Sequence, residues 1–295
     1  MKKTKVAIIG PGNIGTDLMY KIKKSKCLEL TAMIGVDESA GIKRARDMGV
    51  VTSTDGIRFV ESNPNVAEIF FDATTATAHR ELHAPVLERL NKIAIDLTPA
   101  AVGKIVSPMV NIEEALNYKN VNLITCGGQV STPIVYAISQ IVPVEYAELV
   151  TTVSSKSVGP GTRKNIDEFT KTTAHALRLL GGAKRSRVLT LINPAVPEIA
   201  MRNAIYCVPD GSFELDEVIH SVKNMVSKIQ EYVPGYTLTL SPKLENGVIT
   251  TIISVTGAGD FLPSYAGNLD IETSSAVRIA ELFVENQRRE VKNNG

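Results

Sequence analysis

Lys5-Val6-Ala7-Ile8-Ile9-Gly10-Pro11-Gly12-Asn13-Ile14-Gly15 is the stretch on which the fold turns. A charge-flanked apolar run of strand length ends at a glycine, and two more glycines follow at positions 12 and 15. Leu18, Met19 and Ile22 then share one helical face, and Leu28 to Val36 returns to an apolar strand ending at Asp37. Strand, glycine turn, helix and strand thus succeed one another within forty residues. In that context Gly10, Gly12 and Gly15 permit a tight turn, close backbone approach to a pyrophosphate, and close packing of helix on strand. The helix expected over Thr16 to Lys24 offers unpaired N–H groups at its start to phosphate. Asp37 lies 22 residues past Gly15, where a carboxylate accepts hydrogen bonds from a ribose diol and repels a 2′-phosphate. NAD is therefore expected over NADP.

The same alternation continues outward. A helix is expected around Ile42 to Met48, a strand at Ile69–Asp72, a helix from Ala78 to Leu90, and strands at Ile93–Leu97 and Val121–Thr125. Continuous apolar strands between helices predict a Rossmann-type parallel sheet covered on both faces. After Pro143 the strands alternate in polarity, as in Leu149-Val150-Thr151-Thr152-Val153-Ser154, which predicts a sheet with one open face. The expected elements are strand 146–155, helix 166–180, strand 187–192, helix 214–232, and strands 236–241 and 247–256. Glu245-Asn246-Gly247 marks a hairpin between the last two. Ile271, Ala276, Ile279, Ala280 and Phe283 recur at helical spacing, so the terminal helix needs an apolar surface, for which the first domain is the candidate. The expected domains are 1–131 with 267–295, binding a dinucleotide, and an α+β domain over 132–266.

Composition narrows the function classes. Lys and Arg total 32 against 31 Asp and Glu, so no net field draws the chain to nucleic acid or an anionic membrane. With 44% hydrophobic and 21% charged residues, the chain reads as globular. The N-terminal apolar run is too short for a signal-peptide core and no 18-residue apolar stretch exists, so a cytoplasmic, non-membrane protein is expected. Three scattered cysteines, Cys27, Cys126 and Cys207, argue against a disulfide framework.

Cys126 closes the Val121–Thr125 strand and is followed by Gly127-Gly128-Gln129. In an open parallel sheet, that edge is where ligands bind. A helix starting near Thr132-Pro133 would aim its positive end at the thiol. A thiolate beside a nicotinamide suits aldehyde oxidation: it adds to the carbonyl, the adduct loses hydride, and a thioester remains. A lone cysteine is otherwise a small buried hydrophobe, the reading given to Cys27 and Cys207.

Taken together, these stretches resemble the acylating acetaldehyde dehydrogenases. The resemblance runs through the glycine turn, Phe71-Asp72-Ala73-Thr74, Ile95 to Ala101, Thr125-Cys126-Gly127-Gly128-Gln129, Ser155 to Arg163, and Tyr265 to Ile271. It implies an architecture like the glyceraldehyde-phosphate and semialdehyde dehydrogenases. It also implies conversion of acetaldehyde, NAD and coenzyme A to acetyl-CoA and NADH, within aromatic hydrocarbon catabolism. By the same resemblance Cys126 is the acyl carrier. Gly12, Asn13 and Ile14 belong to the dinucleotide loop, and Ser157, Val158, Gly159, Pro160, Gly161, Thr162, Arg163, Lys164, Asn165 and Asn268 join the cofactor site. The implied partners are a second copy, through the second domain, and a 4-hydroxy-2-oxoacid aldolase supplying the aldehyde. Read by themselves, Asn165 with Glu168 is a capping box and Asn268 a helix cap.

Two departures stand out. Members of that family carry Met-Arg-Asp where this chain has Met201-Arg202-Asn203, and an amide cannot act as a carboxylate base. The Ser241 to Val248 hairpin is also short. The alternatives to weigh are a phosphorylating semialdehyde or acyl-phosphate reductase, and a non-catalytic dinucleotide-binding subunit. His79 and His83 stand four apart on an expected helix, a spacing open to metal, but no third ligand is evident and no metal site is expected. Lys184-Arg185-Ser186-Arg187 reads as a solvated turn that could meet coenzyme A phosphates.

Overall fold

The computed structural model describes residues 2–159, 163 and 166–293. They divide into two compact units, Met1–Leu123 with Thr273–Gly295, and Ile124–Glu272. The division falls at 123 and 272 rather than at the expected 131 and 266, which puts Cys126 in the second unit.

The first unit holds seven parallel strands: β1 (Thr4–Ile9), β2 (Leu28–Ile34), β3 (Val51–Ser53), β4 (Ile69–Asp72), β5 (Ile93–Asp96), β6 (Lys104–Ile105) and β7 (Asn120–Asn122). Their order is β3-β2-β1-β4-β5-β7-β6, so the chain reverses direction across the sheet next to β1. In such sheets ligands bind where that reversal opens a crevice. One face packs Val6, Ile8, Phe71 and Ile95 with Leu18, Met19 and Ile22 of the helix Asn13–Lys24, and with Ile279, Ala280 and Phe283 of the helix Gly267–Asn293. The terminal helix thus finds its apolar surface on the first unit, as its spacing predicts. The opposite face packs Ala7, Ile9, Ile34, Phe70 and Leu87. β2 stops at Ile34, short of the expected Val36; Gly35 N still donates to Ser53 O at 2.9 Å, but Val36 is 82% exposed.

The second unit is a mixed sheet of β8 (Val144–Ser154), β9 (Ala183–Asn193), β10 (Met201–Pro209), β11 (Tyr236–Glu245) and β12 (Val248–Val255), ordered β11-β12-β10-β8-β9. Only β8 and β9 pair in parallel, the crossover between them including the helix Ile166–Leu179. Asn246 and Gly247, at φ +50° and +76°, make the expected hairpin. The basic run at 184–187 is not a turn; it lies on β9. Lys184 pairs with Glu145 and Asp210 at 3.1 and 2.8 Å, and Arg185 with Glu145 at 3.1 Å, the charged rim that blunts an edge strand. No helix among the described residues is long and apolar enough to cross a membrane.

Candidate active site

In the first unit each glycine of the turn has a separate reason. Gly10 sits at φ +105°, and an added Cβ would meet Ala73 O at 2.5 Å. A Cβ on Gly15 would lie 1.9 Å from Gly10 O, so helix and strand touch there without side chains. Gly12 has open space around it and caps the helix without a side-chain bond. Asn13 is exposed and no acid stands in the first helical turn, which leaves the amides at the helix start available to an anion. Asp37 is exposed just beyond β2. A cavity of about 470 Å³ opens beside Val36, with Asp55, Arg58 and Phe59 among its walls.

Beyond β4, the run Ala76–Arg89 is helical but widens into a π-turn over His79–His83. Both imidazoles are buried and both turn Nδ1 onto Asp72 Oδ2, at 2.8 and 2.6 Å. His79 Nε2 faces Asn120 Nδ2 at 3.2 Å and Asp96 Oδ2 at 3.6 Å. Among the described residues no group of three or more His, Cys, Asp or Glu side chains is arranged to hold a metal.

In the second unit the helix starts at Cys126 itself, seven residues before Pro133, and Pro133 lies inside it. Thr125 is the cap, its Oγ1 accepting from Gly128 N at 2.9 Å. Ile124 stands at φ +68°, a strained conformation for a β-branched residue. That kink folds Ile124 over Gly128, where a Cβ would meet Ile124 Cγ2 at 2.6 Å. Gly127 is not crowded in this way; its added Cβ would make ordinary contact with Leu149 and Phe169 at 3.4 and 3.5 Å.

Burial pushes the Cys126 thiol well above its ordinary range, and the Glu272 carboxylate pushes it further. The Gly127 and Cys126 amides act against both by hydrogen bonding to sulfur. Cys126 is partly exposed, whereas Cys207 is fully buried in β10 and burial holds its thiol at about 12. Burial also raises Cys27, with a Ser25 hydrogen bond opposing.

Asn268 is buried at the start of the helix Gly267–Asn293 and donates Nδ2–H to Ser157 O at 3.3 Å. Its Oδ1 has no partner among the described residues. Ser157 is buried too, its hydroxyl donating to Ser154 O at 2.9 Å. Val158 is buried and Gly159 stands in open space. Arg163 turns back on the loop, Nε donating to Val158 O at 3.1 Å and Nη2 to Ser155 O at 2.8 Å. Pro160, Gly161, Thr162, Lys164 and Asn165 lie outside the described residues.

Residues 126–263 match the family model for prokaryotic acetaldehyde dehydrogenase, dimerisation. The acetaldehyde dehydrogenase of Geobacillus stearothermophilus is 51% identical over 283 residues, 95% of this chain and 96% of that protein. That of Chloroflexus aurantiacus is 53% identical over 291 residues, covering 95% of each. The chain belongs to the acetaldehyde dehydrogenase family. An aspartate semialdehyde dehydrogenase structure from Vibrio cholerae, 15% identical, shares the fold with a TM-score of 0.63, covering 96% of this chain and 99% of that one. Within this acetaldehyde dehydrogenase family chain, the residue singled out by the sequence is Asn203. That side chain is buried mid-strand in β10, opposite Thr151, with Nδ2 donating to Ile253 O at 3.4 Å. Neither Asn203 Oδ1 nor Thr151 Oγ1 has a partner among the described residues. Sequence reading did not foresee the Ile124 kink or the clamp of two histidines on Asp72.

Proposed function

We propose that the chain oxidises acetaldehyde, or a similar short aldehyde, with NAD and coenzyme A to give acetyl-CoA, NADH and a proton. The observation that carries this reading is Cys126 at the first position of a capped helix, with the Cys126 and Gly127 amides turned on its sulfur. Those amides stabilise negative charge, first on a thiolate and then on the oxyanion formed when sulfur adds to the carbonyl carbon. Bound NAD supplies the hydride acceptor. Loss of hydride from the adduct leaves an acyl thioester on Cys126, and the coenzyme A thiol takes the acyl group and returns the cysteine.

The residues present suit a dinucleotide. The glycine turn and bare helix start fit a pyrophosphate, and Asp37 a ribose diol. The unpartnered Asn268 Oδ1 can accept from a carboxamide N–H. Gly10, Gly12, Asn13, Ile14, Gly15, Asp37, Ser157 to Asn165 and Asn268 are accordingly assigned to NAD. A homodimer through the second unit is part of the same reading, supported by the dimerisation model and by exposed Leu189 and Leu191 on β9. A 4-hydroxy-2-oxoacid aldolase is the proposed partner, which co-purification of the two chains would test.

Acetaldehyde and NAD without coenzyme A should release about one equivalent of NADH per site and then slow, since water is a poor acyl acceptor. The acetyl group should map to Cys126, and Cys126→Ser should lose the burst. Acetylation of Cys207 or Cys27 instead would remove the assignment. NADP used as well as NAD would remove the role given to Asp37.

A further inference from the structure

Nothing in the proposed chemistry uses His79 or His83, yet the two buried imidazoles converge on one oxygen of one buried carboxylate. Asp72 ends β4, and its other oxygen, Oδ1, accepts from Thr74 N at 3.1 Å and Thr74 Oγ1 at 2.5 Å. The carboxylate therefore joins two elements, the π-turn through Oδ2 and the Ala73–Thr74 turn through Oδ1. The second of these lies against the glycine loop: Ala73 N donates to Ile9 O at 2.8 Å. A Cβ on Gly10 would meet Ala73 O at 2.5 Å and Thr74 Cγ2 at 2.9 Å. The groups facing the pair are Asp72 on β4, Asp96 on β5 and Asn120 on β7. A π-turn in place of regular helix brings both rings to one oxygen, and such turns recur at functional sites.

We propose that His79 and His83 are positioning residues for the dinucleotide: by clamping Asp72 they hold the Ala73–Thr74 turn against Gly10 and fix the shape of the glycine loop. The proposal rests on the NAD reading above. The histidines touch no substrate; they act through Asp72 and the turn. Loosening the clamp lets Ala73 and Thr74 move off Gly10, so the loop meets the pyrophosphate in several conformations and affinity falls.

The test is titration of the full-length protein with NADH, followed by fluorescence, for wild type, His79→Gln, His83→Gln and Thr74→Val. Thermal melts and the iodoacetamide alkylation rate of Cys126 are measured in parallel. The expected result is an NADH Kd raised about fivefold or more in both histidine variants, with Cys126 alkylation, in the other unit, unchanged. Thr74→Val, which removes one hydroxyl bond from the same carboxylate, should show the same change in part, and it decides the matter if the histidine variants fail to fold. An NADH Kd like that of wild type in Thr74→Val and in the folded histidine variants overturns the clamp and leaves the NAD reading standing. So does a loss of affinity matched by an equal change at Cys126, which would mark general damage. Wild type that does not bind NADH removes the dinucleotide reading and the clamp with it.

Discussion

Thr125 and Thr173 meet through their hydroxyls, 2.6 Å apart, tying the cap of the Cys126 helix to the middle of the helix Ile166–Leu179. Thr173 in turn donates to Phe169 O at 2.8 Å, so its proton is committed and Thr125 is the donor between the two. Thr125 Oγ1 still accepts from Gly128 N. One hydroxyl thus serves the helix start twice.

Thr125→Ala removes both bonds and leaves Thr173 short of a partner. Loss of the cap alone costs about 1 kcal/mol. Urea unfolding should show at least that loss, and Thr125→Ser should restore most of it.

The two glycines after Cys126 should respond differently to alanine. At Gly128 the new methyl meets Ile124 Cγ2 at 2.6 Å, and overpacking of this kind costs about 1–3 kcal/mol. At Gly127 it makes ordinary contacts, and replacing helical glycine by alanine is favourable by up to about 1 kcal/mol. Melting temperatures should therefore fall for Gly128→Ala and hold or rise for Gly127→Ala.

Glu272 disfavours the Cys126 thiolate, adding to the larger effect of burial. Removing its negative charge in Glu272→Gln lowers the thiol pKa, so at a fixed pH below that pKa more thiolate is present. Iodoacetamide should alkylate Cys126 faster in the variant at pH 8, with the pH–rate curve displaced to lower pH. A curve displaced upward would contradict the placement of that charge.

Two buried aspartates of the first unit should leave opposite marks on stability. Burial raises Asp96 to about 6, so the unfolded chain ionises it first and stability is lost as pH rises through that value. Asp72 is also penalised by burial, but hydrogen bonds from His79 and His83 win and hold it at about 2. Its contribution is present above the ordinary carboxylate range and lost as pH falls through about 2. The melting-temperature advantage of wild type over Asp96→Asn should shrink between pH 4 and about 6.

The glycine turn was legible because Gly10 and Gly15 answer demands of backbone angle and close approach that other residues do not meet, Gly12 leaves open space between them, and the three fall in order after a strand. The start of the Cys126 helix was not. Gly127 and Gly128 look like loop residues, and Pro133 looks like a first helical position. The crowding that makes Gly128 necessary depends on the left-handed turn at Ile124, which a β-branched residue gives no reason to expect. β10 was missed for a related reason. Met201, Asn203, Ile205 and Cys207 do alternate inward, but a buried asparagine in that row hides the period. The spacing of His79 and His83 suggested a helix face, whereas the partner they share is fixed by the π-turn.

The parallel pairing of β8 with β9 sets an order of assembly. Hairpin β11–β12 closes across two residues, Asn246 and Gly247, whereas Val144 meets Ala183 only after the intervening helix has crossed over. Loop closure over the longer span is entropically dearer, so local pairs form first. In refolding followed by pulsed hydrogen exchange, amides of β11 and β12 should gain protection before those of β9. The crossover leaves β8 at Ser154, beside Ser157, whose carbonyl holds Asn268. The carbonyl that orients Asn268 toward the proposed nicotinamide carboxamide is then among the last parts of the chain to reach its final form.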